Sequence, residues 1–354
     1  MSSITYENSG VDANKADQII DSFSEFLKSR PRDPRLLSGI GPYASCFSLK
    51  ETLSTFKDPL LVSCCDGVGT KAKLALDWNQ IDRLGEDLVA MNVNDLLCVG
   101  ATPLVFLDYY ACGKLEKTQL LTLLKSIQIG CEMADCSLSG GETAEMPGLY
   151  LDRDFDLAGF SVGLVDRKDV LGESKVQHGN CLIGIESSGL HSNGYSLVRK
   201  LVDKENLSPT KAPNFSKETW AEILLKPTFI YTKFLKNHLS QLTGLAHITG
   251  GGITGNLPRI LPRGSEARVK TAAIFFPELF QWIKEAAGLS QEQMFETFNC
   301  GIGMVAACPP DYVDTLLISL KENGLKAQVI GTVEKTSQVS PRNSNLDEPQ
   351  VVWQ

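Results

Sequence analysis

The chain is 354 residues long, with 43% apolar and 21% charged side chains and a formal net charge of −8. That length exceeds one small core and predicts a soluble enzyme of two domains. The acidic balance repels phosphate backbones and argues against nucleic acid, while a phosphorylated small molecule remains open because a local Mg²⁺ reverses the field. Ten cysteines without a C-x-x-C pair sit in apolar runs such as LLVSCCD. They read as buried free thiols in a reducing compartment. The start, MSSITYENSG, has no signal-peptide pattern, and no apolar run is long enough to span a bilayer, so the expected location is cytoplasmic with no membrane partner.

In chain order, KADQIIDSFSEFLK (15–28) places Ile19, Ile20, Phe23 and Phe26 at helical spacing, and Pro31 and Pro34 stop that helix. SGIGPYASCFSL (38–49) reads as a Gly-containing loop running into a strand, and LLVSCC (60–65) as a buried strand ending in the turn Asp66-Gly67. A helix is predicted over roughly 83–99 and a strand over 103–111. A second helix follows with Thr118 as its cap, then a loop SGGETAEMPG and the half-buried strand DLAGFSVGLV. The polar segment 166–180 marks a domain boundary near 171. Beyond it, strands CLIGIESS, AHIT, GIGMVAA and KAQVIGTV interleave with helical stretches near 195–203, 217–239, 277–287 and 311–323. The order is α+β, with domains 1–170 and 171–336 and a polar tail 337–354 whose VVW can dock.

Five segments carry chemistry. In CDGVGTKAKLA, Asp66 stands at a strand end before a turn where Gly67, Thr70 and Lys71 can converge on an anion; a plain Asp-Gly β-turn is the simpler alternative. On the helix 85–99, Asn92 and Asp95 lie on one face with Leu88 and Val99, and the opposite face is apolar too, so the helix should be buried and its polar groups paired. In LSGGETAEMPG, Gly140 and Gly141 precede Glu142 and Thr143; Asp66, Asp95 and Glu142 together would make a Mg²⁺ site that shares its shell with phosphates. In SSGLHSNGYSL, His191 is suited to proton transfer, with Ser192 and Asn193 beside it, although a capping turn accounts for the same residues. In HITGGGITGN, Thr249, Gly250, Gly251 and Gly252 suit a phosphate better than a dinucleotide, because Pro258 interrupts the helix that should follow.

Taken together these segments closely resemble the phosphoribosylformylglycinamidine cyclo-ligases, also called AIR synthetases. The resemblance rests on YENSGVD (6–12), DGVGTK (66–71), DLVAMNVND (87–95), FLDYYACGKL (106–115), GGETAEMPG (140–148), DLAGFSVG (156–163), HSNGYSLVRK (191–200), HITGGG (247–252) and TFNCGIGM (297–304), which stand in the family's order over most of the chain. It implies a two-domain α+β / α/β fold: an N-terminal sheet domain that forms a homodimer, a separate C-terminal α/β domain, and a site in the cleft between the two. It also implies ATP-driven closure of formylglycinamidine ribonucleotide to aminoimidazole ribonucleotide, with ADP and phosphate released. Asp66, Asp95 and Glu142 map onto the acids that bind ATP and Mg²⁺. His191 is then the first choice for proton transfer and Asp108 the second. The alternatives are another ATP-dependent phosphotransferase of the superfamily, or an inactive nucleotide-binding assembly subunit. Two departures stand out: Pro42-Tyr43-Ala44 replaces Gly-Phe-Gly, and Ser24 stands where a Lys is usual, with Lys28 one turn on as its substitute.

Overall fold

The structure is a computed structural model, and it describes residues 13–39, 41–336 and 348–354. The motif YENSGVD and residues 337–347 of the polar tail lie outside the described residues. Two compact units are formed: one reaches Leu96 and continues from Pro103 to Asp166, and the other comprises Leu97–Thr102 and Arg167–Gln354. Among the described residues no helix is long and apolar enough to cross a membrane.

The first unit runs α1 (Ala13–Lys28), α2 (Lys50–Leu53), β1 (Pro59–Gly67), α3 (Lys71–Asp77), α4 (Leu84–Cys98), β2 (Thr102–Cys112), α5 (Lys117–Ala134), β3 (Ser137–Glu145) and β4 (Phe155–Asp166). Its sheet has the order β1-β4-β2-β3, with β1 antiparallel to β4 and β2 parallel to β3. Helix α4 is apolar on almost every side, and Leu88, Val89, Ala90, Val93 and Leu96 are all fully buried, as a helix without a polar stripe must be. In β2 the alternation buries Phe106, Asp108 and Tyr110 on one face and leaves Leu107 and Tyr109 half-buried on the other. On that second face, Leu61, Cys65 and Phe160 are exposed.

Several expectations are corrected here. β1 alternates between exposed and half-buried because only one face of its sheet is covered by helices, whereas its apolar run predicts a buried strand. Residues 41–49 form bends with a single bridge from Leu36 to Phe47 and no strand. Thr118 does not cap α5: Glu116 holds the cap position, and no side chain accepts a bond there. GGET, expected in a loop, lies within β3 and pairs with β2. Gly141 fits against Asp108 only because it lacks a Cβ, which would collide with the Asp108 side chain and carbonyl. All ten cysteines are free; Cys112, Cys131, Cys300 and Cys308 are buried, but Cys46 and Cys65 are exposed.

The second unit runs β5 (Cys181–Glu186), α6 (Tyr195–Lys204), α7 (Trp220–Leu224), α8 (Thr232–Leu235), β6 (Gly244–His247), α9 (Gly252–Asn256), β7 (Ser265–Val269), α10 (Glu278–Ala287), α11 (Gln291–Thr297), β8 (Ile302–Cys308), α12 (Val313–Glu322), β9 (Ala327–Lys335) and β10 (Gln350–Trp353). The strand order is β10-β7-β9-β5-β8-β6. Central β8 is buried along its whole length, and Ile183, Ile185, Met304, Ala306 and Leu316 share one core. The helical stretch predicted over 217–239 is broken into α7 and α8, because Pro227 supplies no N–H to continue the ladder. VVW does dock: β10 pairs in parallel with β7, and the Trp353 ring stacks on Phe295 at 4.0 Å.

Candidate functional site

In the first unit the polar residues of the motifs are largely engaged with one another. Asp66 is the penultimate residue of β1, half-buried, and its Oδ1 accepts the Gly67 N–H at 2.8 Å. Asn92, fully buried in α4, accepts the Asp66 N–H through Oδ1 and donates through Nδ2 to the carbonyls of Asp66 (3.2 Å) and Leu88 (2.9 Å). Its amide therefore pins the Asp66 backbone, which meets the cost of burying it. Asp95, one turn further on, is half-buried. Burial pushes the Cys64 thiol up to about 11, and the charges of Asp95 and Asp66 add to the rise. Thr70 occupies the N-cap of α3 without a side-chain capping bond.

Lys71 does not reach outward. Its side chain is 1% exposed, and its Nζ stands 2.8 Å from either oxygen of Asp87, which is equally buried. Burial lowers the ammonium's pKa while Asp87 raises it. Such a pair is costly to open, because either partner alone would be an uncompensated buried charge.

Glu142 stands apart. It pairs with Tyr109 on β3, at the sheet edge opposite to β1, and shares the exposed face, whereas Asp66 pairs with Gly159 on the helix-covered face. Three strand spacings separate the edges, at least roughly 14 Å. Its Oε1 accepts the N–H of Thr143, and Gly140 and Gly141 precede it on the same strand. Among the described residues no three His, Cys, Asp or Glu side chains gather as a metal-ligand set. The structure thus sets Asp66 against Asn92 of α4, the helix that also carries Asp95, and leaves Glu142 on the other face of the sheet. Asp108 faces the helices, 5% exposed, and burial pushes its carboxyl up to about 7.

In the second unit two motifs meet. Asn193 Oδ1 lies 3.6 Å from the place a Cβ would take at Gly250, so the HSNG and TGGG loops are neighbours. His191 is wholly buried in the left-handed conformation (φ 60°), with its ring 6.2–6.4 Å from those of Tyr231, Phe229 and His247. Its Nε2 accepts the Ser188 N–H at 3.2 Å, so that nitrogen carries no proton and its lone pair is engaged. Ser192 is within 3.3 Å of the Thr228 hydroxyl.

The loop Thr249–Gly252 is organised by a residue that the motifs did not single out. Asn256, 3% exposed, donates from Nδ2 to the carbonyls of Thr249 (3.3 Å), Gly250 (3.0 Å) and Gly252 (2.8 Å). Its Oδ1 accepts from the Thr249 hydroxyl at 3.3 Å and from Arg259 at 3.2 Å. The available signal was an Asn one helical turn after Gly252. Gly252 must be glycine: its φ is 59°, and a Cβ would strike the carbonyl of Phe295. Two buried polar atoms beside the loop, Asn193 Nδ2 and Thr254 Oγ1, have no partner among the described residues.

Comparison with known proteins follows the same division. Residues 52–165 match the family model "AIR synthase related protein, N-terminal domain", and residues 177–342 match its C-terminal domain. The chain is 45% identical to a phosphoribosylformylglycinamidine cyclo-ligase of Chromobacterium violaceum over 335 residues, covering 94% of this chain and 96% of the relative. It is 43% identical to the enzyme of that name from Bordetella pertussis, covering 93% and 94%. Solved structures with the same fold include a thiamine-monophosphate kinase from Stenotrophomonas maltophilia, with TM-score 0.65, 16% identity and coverage of 94% and 95%. The hydrogenase maturation protein HypE in complex with ATP superposes with TM-score 0.66, 16% identity and coverage of 98% and 92%.

Proposed function

Because the chain belongs to the phosphoribosylformylglycinamidine cyclo-ligase family of AIR synthase related proteins, we propose that it closes formylglycinamidine ribonucleotide to 5-aminoimidazole ribonucleotide at the expense of ATP. ADP and phosphate are released, and the step belongs to purine synthesis. The observation that carries this reading is the likeness to cyclo-ligases along 94% of the chain, which includes both glycine-rich sites.

The formamide carbonyl is a weak electrophile, and its oxygen leaves badly. Transfer of the γ-phosphoryl group to that oxygen gives an imidate ester. The amidine nitrogen of the same molecule then attacks the carbon: a C–N bond forms, the C–O bond breaks with its electrons leaving on phosphate, and one nitrogen proton is lost. Holding the substrate in a cyclisable conformation supplies much of the rate. Asp66 and Asp95 would hold a Mg²⁺ that neutralises nucleotide phosphates, a task for which two carboxylates with waters and phosphate oxygens suffice; Glu142 does not fit that set. Asn92 keeps the Asp66 backbone in place, and Lys71 supports the turn from within.

Of the two groups considered for proton transfer, His191 Nε2 already accepts from Ser188, and the Asp108 carboxyl, which burial pushes up to about 7, is 5% exposed beneath the helices. The pH–rate profiles of His191→Ala and Asp108→Asn decide between them. In the second unit, the TGGG loop with Asn193 would seat the ribose 5-phosphate. A homodimer is also part of this reading: the sheet face bearing exposed Leu61, Cys65 and Phe160 suits a second copy of the chain, and Leu61→Asp should shift the sedimentation of the protein toward the monomer.

The test is a turnover assay with ATP and formylglycinamidine ribonucleotide. Release of ADP, free phosphate and an aromatic amine in equal amounts is expected. Phosphate retained on the substrate would replace the ligase by a kinase, and ATP hydrolysis indifferent to the substrate would sink both.

A further inference from the structure

We infer that Asn256 is a positioning residue that sets the loop Thr249–Gly252 as a seat for a phosphate monoester dianion, completed by the side chains of Asn193 and Thr254. The inference rests on the functional reading above and names how the ribonucleotide is told from its dephosphorylated form.

A single buried amide turns three of the loop's four carbonyl oxygens, those of Thr249, Gly250 and Gly252, toward itself. Carbonyls drawn to one side take their repulsion away from any anion approaching the loop. Among the described residues the N–H groups of Gly250 and Gly251 donate to no acceptor, which leaves two backbone donors in the same short loop. Concave sets of successive backbone N–H groups are a recurrent means of holding phosphate.

Two side-chain atoms point to the same ligand. Asn193 Nδ2 can only donate, and Thr254 Oγ1 can donate as a hydroxyl; both are buried without a partner among the described residues. A buried donor without an acceptor is costly, and an oxyanion satisfies it with a charge-assisted bond. The Asn193 carboxamide, which carries Nδ2, approaches Gly250 through its Oδ1, and Thr254 is two residues beyond Gly252, so both side chains belong to the loop's neighbourhood.

The loop is also fixed from behind. Gly252 abuts the Phe295 carbonyl, and the Phe295 ring is stacked under Trp353 of β10. Arg259 and the Thr249 hydroxyl donate to the Asn256 carboxamide oxygen, which leaves its NH₂ group for the carbonyls of Thr249, Gly250 and Gly252. Asn256 itself touches no ligand in this scheme. It acts through the backbone it holds, and its loss should weaken binding of the phosphate rather than slow the chemistry, since the phosphate is remote from the reacting carbon.

The experiment compares formylglycinamidine ribonucleotide with the corresponding riboside. In the unaltered enzyme, amide hydrogen exchange over residues 249–254 should slow on addition of the ribonucleotide and stay unchanged with the riboside. In Asn256→Ala and Asn256→Asp, KM for the ribonucleotide should rise ~10–100-fold. Their kcat, their KM for ATP and kcat/KM for the riboside should stay within about twofold, as expected when only a remote binding group is lost. Equal losses on ribonucleotide and riboside would make Asn256 merely structural and overturn the inference. A rise confined to KM for ATP would assign the seat to the nucleotide and also overturn it. If neither variant folds, as thermal unfolding will show, exchange in the unaltered protein decides alone: protection by riboside equal to that by ribonucleotide refutes a phosphate seat. Exchange needs no turnover, so its outcome is separable from failure of the ligase assay.

Discussion

After β1, the turn DGVGTK spends its polar groups within the protein: Gly67 N–H goes to Asp66, Asn92 holds both sides of the Asp66 peptide, and Lys71 is sealed against Asp87. After β6, the turn HITGGGITGN has the opposite character. There the carbonyls are gathered by Asn256, while Asn193 Nδ2 and Thr254 Oγ1 remain without partners among the described residues. Both turns are glycine-rich with a cation or amide nearby, so their residue types alone rank them alike. The difference teaches that a charged side chain in a motif is informative only once its burial is known. A buried lysine opposite a buried aspartate is structural cement; a buried donor facing nothing is an invitation to a ligand.

The largest effect should come from the first turn. Lys71→Met should cost ~3–5 kcal/mol in urea unfolding by stranding Asp87, and the double variant with Asp87→Leu should recover most of that loss. A Lys71→Met protein of normal stability with an impaired KM for ATP would erase the contrast and return the lysine to the nucleotide.

Asp108 tests the same unit through pH. Its folded pKa of about 7 stands above the roughly 3.9 of an unfolded aspartate, so between those values only the folded state keeps the proton. Stability should therefore fall as pH rises from about 4 to 7, by up to roughly 1.4 kcal/mol per unit, and level off above. Asp108→Asn should flatten that slope and, if the carboxyl moves a proton in the reaction, remove the pH–rate limb near 7. A slope unchanged by the substitution would place the titration elsewhere.

Asp95→Asn should leave the fold intact and depress activity at fixed Mg²⁺ on the order of 10²-fold, with partial recovery at high Mg²⁺. Full activity at low Mg²⁺ would leave Asp66 without its companion. The smallest effect belongs to the buttress of the second turn. Trp353→Ala should cost ~0.5–1.5 kcal/mol from the lost ring stack, and Trp353→Phe should restore most of it, read by thermal unfolding.

Much of this was legible in the residues. The all-round apolar character of α4 announced its burial, and with it the need to pair Asn92. Pro258 foretold the short α9, which ends at Asn256. The alternation in DLAGFSVGLV gave β4. Other features were hidden for definite reasons. Which face of a sheet the helices cover, and which strand lies at its edge, are properties of the assembled unit, so the apolar run of β1 and the glycines of β3 misled. The Lys71–Asp87 pair spans 16 residues and has no local spacing signal.

By itself the sequence determined the family, the two-part α+β plan and the segments in which chemistry resides, because residue types in fixed order specify local backbone and its turns. The tertiary structure decided which of those residues share a face and which are sealed inside. It tied Asp66 to Asn92 of α4 and sent Glu142 to the far face of the sheet; it buried Lys71 and His191 and disclosed Asn256. Convergence and desolvation depend on contacts between residues distant along the chain, and their energies are set by burial that no local pattern encodes.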